Sequence, residues 1–216
     1  MNNLSKCLVL TMIALASPAR AADSTPHDWN GFYAGIEGGG DFGTSRKNFG
    51  DGRSTGSFDT DGATGGITAG YNKQFQNIVV GFEGDISASN VEGDTSHPNP
   101  AFNYYTKNDW MGTVRPRVGY AFGSVLPFVT GGLAVGDVNV KSGLKTTGGN
   151  GVDFTKTEPG WTVGSGIEAG LSAHWTAKAE YLYTQLEDAN GASDMGAPTS
   201  THFKENTVRL GLNYKF

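Results

Sequence analysis

The last stretch of the chain, Asn206 to Phe216, alternates without a break. Val208, Leu210, Leu212, Tyr214 and Phe216 fall on one face of an extended strand, and Thr207, Arg209, Gly211, Asn213 and Lys215 fall on the other. Period-two alternation is the signature of a strand that separates two environments. An unpaired strand with a bare apolar face is an aggregation hazard in water. The same strand suits a sheet closed on itself inside a bilayer, with its apolar face toward lipid and its polar face inward. The competing reading is an amphipathic strand of a soluble sandwich, and the remaining sequence must separate the two.

The opening residues bear on the compartment. Met1 to Lys6 is short and polar with one positive charge, Cys7 to Ala16 is apolar, and Ala19-Arg20-Ala21 places small residues where a signal peptidase reads. The apolar run is too short to span a bilayer as a helix. Residues 1–21 therefore read as a secretory signal peptide and 22–216 as one mature domain. The only cysteine, Cys7, lies inside the signal, which excludes disulfides and thiolate metal sites from the mature chain. Removing Lys6 and Arg20 takes the formal net charge from −5 to about −7, and an acidic exported chain argues against nucleic acid as a partner. No later apolar run is long enough for a membrane helix. The 33 glycines are accompanied by too many aromatics for a disordered chain. A barrel meets all these conditions, because its strands carry no long apolar run.

Seven further strands precede the last one. Their expected spans are 31–41, 62–71, 78–89, 109–121, 126–141, 158–171 and 175–186, with alternating faces in all but the fifth. Val80, Phe82, Ile86 and Ala88 oppose Glu83, Asp85 and Ser87; Trp110, Val114, Val118 and Tyr120 oppose Thr113, Arg115, Arg117 and Gly119. Pro116 cannot donate a ladder hydrogen bond, so a bulge or a missing bond is expected there. The fifth strand has an ambiguous phase: Val129, Leu133 and Val135 compete with Phe128 and Val138, and Gly131-Gly132 suggests a register-shifting bulge. The polar connections alternate long and short, with long loops at 42–61, 90–108, 142–157 and 187–205 and a short turn at 72–77. Long outer loops with short inner turns are the pattern of an up-and-down outer-membrane barrel. The even strand count would place both termini in the periplasm. Trp110, Trp175, Tyr71, Tyr120, Phe122, Tyr214 and Phe216 are expected to form one interfacial girdle near the short turns.

Several segments carry a family resemblance. Trp29 to Gly35, Val80 to Asp85, Gly112 to Ala121, Leu126 to Gly132, Lys178 to Tyr183 and the closing strand resemble the outer-membrane immunogenic proteins of alphaproteobacteria, over essentially the whole mature chain. The resemblance implies an all-β fold: the eight-stranded antiparallel transmembrane barrel of the OmpA type. It also implies a cell outer-membrane location, a porin-like surface antigen and no catalytic residues. Some family members bind heme. The terminal Phe216 resembles the assembly signal that ends such barrels. The implied partners are outer-membrane lipid and lipopolysaccharide, the barrel-assembly machinery and host molecules.

Charges on the non-lipid faces form the candidate site. Glu37, Glu83, Asp85, Glu168 and Glu180 oppose Arg115, Arg117, Lys178 and Arg209. An eight-stranded barrel is only wide enough to be filled by side chains, and buried charges must pair. These nine residues are expected to form a structural ion-pair network; a narrow gated pore is the functional alternative. His97 and His202 fall in outer loops, where solvated histidines compete with heme or metal ligation. Ser96 and Ser200 stand near them but without a nucleophile motif, and no enzyme activity, metal or cofactor is expected. Gly35 to Gly40 and Gly62 to Gly66 are not followed by the helix that a phosphate-cradling loop needs. The sequence thus supports an integral outer-membrane surface protein with a structural, envelope or host-interaction role. The alternatives are a small-solute porin, a heme-binding surface receptor, or a soluble lipocalin-like binder with its apolar face inside.

Overall fold

The computed structural model describes residues 27–49, 54–96, 102–144, 152–192 and 198–216, so the expected signal peptide lies outside the described residues. Strands β1 (Gly31–Phe49), β2 (Ser54–Phe75), β3 (Ile78–Ser96), β4 (Phe102–Tyr120), β5 (Val125–Leu144), β6 (Val152–Gly170), β7 (Trp175–Ala192) and β8 (Pro198–Lys215) follow one another round a closed antiparallel barrel. Closure comes from β1 pairing with β8, in constant register from Tyr33↔Lys215 to Phe49↔Thr199. A free edge in hydrocarbon would leave backbone groups unsatisfied at a cost of several kcal/mol each. The closing alternation thus belongs to a strand with partners on both sides.

The two faces separate cleanly. Apolar side chains that would be buried in a soluble protein point outward, with Ile86 60%, Val114 62%, Ile67 63%, Ile36 65% and Leu133 70% exposed. Arginines, lysines and carboxylates on the alternate positions are buried. This inversion removes the lipocalin-like reading, which needs the apolar face inside.

Three tight connections lie at one end. Gln76-Asn77 joins β2 to β3, with Gln76 at a positive φ of 55°. Residues 121–124 join β4 to β5, with Gly123 at φ 62°. Residues 171–174 join β6 to β7. The expected 72–77 turn shrinks to two residues because Asn72 to Phe75 remain in the β2–β3 ladder.

At the other end the strands run far into the stretches expected as loops, reaching 18 residues in β7 and 22 in β2. A tilted strand needs only about 9–11 residues to span. The excess forms because ladder bonds are backbone bonds. Polar residues on both faces are tolerated once the strand has left hydrocarbon, and no period-two signal then marks the strand. Register shifts cluster on this side, between Arg46/Asn48, Ala88/Val91, Asn108/Met111 and Leu186/Ala189.

The fifth strand resolves its phase. Val129, Leu133 and Val135 face outward, Leu126, Phe128, Thr130 and Ala134 face inward, and the β5–β6 ladder runs unbroken from Val125↔Ala169 to Ser142↔Val152. Gly131-Gly132 is therefore not a bulge. Gly132 instead allows close strand approach, since a Cβ there would sit 2.2 Å from the Val114 carbonyl oxygen. At Pro116 the β4–β5 register is the same on both sides, from Val114↔Leu133 to Arg117↔Thr130. The proline carbonyl accepts from the Thr130 hydroxyl at 2.9 Å.

Aromatic side chains form two belts rather than one. Phe32 with Tyr71, Tyr120 with Phe122, and Trp175 and Phe216 with Tyr214 pack at the short-turn end at centroid distances of 4.6–5.4 Å. Trp110 does not join them. It lies about ten residues from Tyr120 along β4. It belongs instead with Phe42 and with Trp161, which packs on Tyr183 at 5.5 Å. The spacing between belts is the length of a strand that crosses the hydrocarbon.

Candidate functional site

Inward positions of six strands bring all nine sequence-selected charges together. Glu37 comes from β1, Glu83 and Asp85 from β3, Arg115 and Arg117 from β4, Glu168 from β6, Lys178 and Glu180 from β7, and Arg209 from β8; all are buried. Arg115 is fully buried (0% exposed) and holds three acids: Nη1 meets Glu180 Oε1 at 2.9 Å, while Nη2 meets Glu83 Oε1 at 3.0 Å and Asp85 Oδ2 at 2.9 Å. Arg117 spans Glu168 at 2.7 Å and Glu83 at 3.2 Å, and its guanidinium lies 4.1 Å from the centroid of the Phe128 ring. Lys178 Nζ is 2.8 Å from Glu83, 3.5 Å from Glu37 and 3.7 Å from Glu180. Arg209 binds Glu37 and, at 2.9 Å, Asp85. Every base touches at least two acids, so one continuous lattice of charge-assisted hydrogen bonds crosses the lumen.

Neutral donors that sequence reasoning overlooked complete the lattice. Tyr33 donates its hydroxyl to Glu83 Oε2 at 2.8 Å and accepts from Arg117 at 3.0 Å. Thr176 and Asn213 donate to Glu168 Oε1 at 2.5 and 3.0 Å, and Thr113 donates to Asp85. Tyr33, Thr113, Thr176 and Asn213 are each in phase with a charged inward neighbour two or four residues away, which is the signal that could have found them. Phe128 was hidden by the unresolved phase of β5. Three further acids are buried, Asp41, Asp137 and Glu205. Asp41 is in phase with Glu37, whereas Glu205 falls in a stretch expected as loop. Against four buried bases the described residues thus hold eight buried acids, not the near-balanced five of the sequence reading.

The short-turn mouth is covered by residues 27–30. Trp29 is buried against Val79, Ala121 and Leu126. Its backbone N–H donates to Gln74 Oε1 at 3.1 Å, and the Gln74 N–H donates to Asn30 Oδ1 at 2.9 Å. His27 packs edge-on to the Trp29 ring at 4.5 Å. These side chains offer apolar area that the barrel mouth can bury. Phe216 sits at the same end. The residue is 75% exposed with its ring beside Tyr214, and its N–H donates to the Phe32 carbonyl at 3.0 Å.

His97 lies outside the described residues, as does the side chain of His202. Among the described residues no group of three or more His, Cys, Asp or Glu side chains is placed to hold a metal, and no helix is long and apolar enough to cross a membrane.

The model of a family described as "outer membrane protein beta-barrel domain" matches residues 7–216. The 31 kDa outer-membrane immunogenic protein of Brucella melitensis is 36% identical over 220 residues, covering 95% of this chain and 91% of that protein. The 22 kDa outer membrane protein of Rhizobium leguminosarum bv. viciae is 36% identical over 206 residues, covering 94% and 83%. Among solved structures, the outer membrane protein OprG of Pseudomonas aeruginosa superposes with a TM-score of 0.51 at 14% identity, covering 88% of this chain and 98% of that one. That likeness concerns the fold alone.

Proposed function

This chain belongs to the outer membrane protein β-barrel family, and on that premise we propose that it serves the cell as a closed, non-enzymatic surface barrel. Its outer-membrane location and surface character follow from the family and its immunogenic relatives. The proposal adds that the barrel carries no through-flow of solute, that both termini and the short turns face the periplasm, and that the long-loop end meets the exterior. It also makes Phe216 the residue read by the assembly machinery, with lipopolysaccharide and host molecules as partners of the exposed end. Arg115 is the observation that carries the closed-barrel reading. A fully buried guanidinium bound to acids on β3 and β7 bars the lumen. The lattice around it ties its carboxylates and bases to one another, which favours a structural role over a catalytic one.

Protease treatment of intact cells tests the orientation. Cuts are expected within the long polar stretches 42–61, 90–108, 142–157 and 187–205, with the Gln76-Asn77 turn protected. Cleavage at Gln76-Asn77 on intact cells would reverse the topology. Release of the protein by osmotic shock without detergent would contradict membrane integration.

A further inference from the structure

The lipid-facing wall carries two parallel grooves. One, of about 570 Å³, lies between the outward residues Tyr71, Phe82 and Pro116 and a row made by Lys73, Val80, Val118 and Val129. These four stand side by side on successive strands, since Lys73 pairs with Val80, Val80 with Val118 and Val118 with Val129. The other groove, of about 920 Å³, lies on the far side of Val118 and Val129, which therefore form the ridge between the two. It starts at Ile78 and Tyr120 and ends at Tyr181 and Val208. Ile78 is the first residue of β3 and Tyr181 the seventh of β7, so the groove rises from the short-turn rim as it crosses five ladders. At about 4.8 Å per ladder its path is about 24 Å long. Arg117, Phe128, Thr130 and Glu180 border the grooves from behind, with their side chains buried. Lys73 stands at the foot of the ridge, two residues beyond Tyr71 of the aromatic belt. Among the described residues it makes no ion pair or hydrogen bond, whereas Lys215 at the same rim is held by Asp28 at 3.5 Å. At the foot of the larger groove the Asn77 amide donates to the Tyr120 hydroxyl at 3.2 Å, which leaves the tyrosine its own proton to donate.

We propose that this face holds one anionic phospholipid from the leaflet at the short-turn end. Lys73 and the Tyr120 hydroxyl hold its phosphate, and its two acyl chains lie one in each groove, astride the Val118–Val129 ridge. The site rests on the membrane integration of the barrel and is independent of whether the lumen conducts. An ammonium at the edge of hydrocarbon calls for an anion, and its long stem lets the charge reach headgroup level. A phosphate has oxygens enough for an ammonium and a hydroxyl together. Lys73 and Tyr120 lie two strands apart, about 10 Å, a gap that the lysine side chain and a phosphate bridge. A second copy of the barrel suits the face less well. No outward residue lining either groove is a carboxylate, so a copy docked here would bring nothing to Lys73. A single-chain amphiphile would leave one groove unfilled.

The test is native mass spectrometry of the refolded barrel in a non-ionic detergent, titrated with phosphatidylglycerol, its single-chain lyso form or phosphatidylcholine. Wild type should retain one phosphatidylglycerol, and should prefer it to phosphatidylcholine by about fivefold, the scale of an exposed ion pair. The lyso form should bind more weakly than the two-chain lipid. K73Q should lose the preference for phosphatidylglycerol, and A179F, which fills the larger groove, should weaken the binding of both two-chain lipids. Both substitutions lie on the lipid-facing side, so the variants should still fold into heat-modifiable barrels. A K73Q chain with the wild-type preference would overturn the headgroup assignment. An A179F chain that binds like wild type would overturn the groove assignment and leave only ordinary boundary lipid. A dimer mass in place of the lipid adduct would overturn the site in favour of an interface between two copies.

Discussion

Replacing Arg115 with methionine asks the most of the lumen. The substitution keeps most of the side-chain volume and deletes one positive charge that is in contact with three buried acids. None of the three is left wholly unpaired. Glu83 keeps Arg117 and Lys178, Asp85 keeps Arg209, and Glu180 keeps Lys178 at 3.7 Å and Arg209 at 4.0 Å. Breaking a buried pair typically costs about 3–5 kcal/mol, because a charge is left behind in a low-dielectric site. Three weakened acids would exceed that range if each stood alone, whereas the surviving cations bring the loss back to about 3–5 kcal/mol. Glu180 is the most exposed to the change, since its remaining contacts are the longest. R115M/E180Q should therefore recover part of the loss, about 1–2 kcal/mol by the coupling expected of residues in contact. The assay is equilibrium urea unfolding of the barrel refolded into vesicles, followed by tryptophan fluorescence. A loss for R115M under about 1 kcal/mol, the level of an exposed ion pair, would refute the claim that the lattice is buried and cooperative.

Other outcomes follow from geometry at the seam, the mouth and the end of the chain. Gly39→Ala should destabilise the barrel by about 1–3 kcal/mol or more, since its Cβ would meet the Val208 carbonyl oxygen at 1.9 Å; Gly38→Ala, whose Cβ would come no nearer than 3.6 Å, to the Thr64 carbonyl oxygen, should unfold at the wild-type urea midpoint. Burial, with Lys215 nearby, pushes the His27 imidazole below its ordinary value of 6.5, against weaker opposing effects of Glu168 and Asp28. A lowered histidine pKa means that docking of residues 27–30 is complete above about pH 6.5 and weakens as pH falls through that value. Protease access to this segment should rise between pH 7.5 and 5, and H27N should abolish the rise. Deleting Phe216 should lower the amount of folded, heat-modifiable protein in the outer membrane without stopping export; wild-type accumulation would reduce Phe216 to one more lipid-facing ring.

The alternation of faces was legible in the sequence wherever one face meets lipid, because hydrocarbon penalises a polar residue at every second position. That explains why Glu83, Asp85, Arg115 and Arg117 could be assigned to the lumen from their apolar neighbours alone. Beyond the aromatic belt the period-two signal disappears, so the outer halves of β1 and β2 looked like loops although their ladders continue to Asn48↔Ser54. Glu205 was missed for this reason. Trp110 was assigned to the wrong belt because distance along a strand was not counted from its turn. The docking of Trp29 carried no periodic signal, since it depends on a mouth assembled from β2, β3, β5 and the β4–β5 turn, all distant in sequence.

Planar-bilayer recording of the refolded barrel tests the central claim most directly. With Arg115 bound to β3 and β7 acids and Trp29 seated in the mouth, wild type should show little or no steady conductance at neutral pH. Large, stable single-channel steps in the wild-type protein would contradict the closed lumen and point to a small-solute porin.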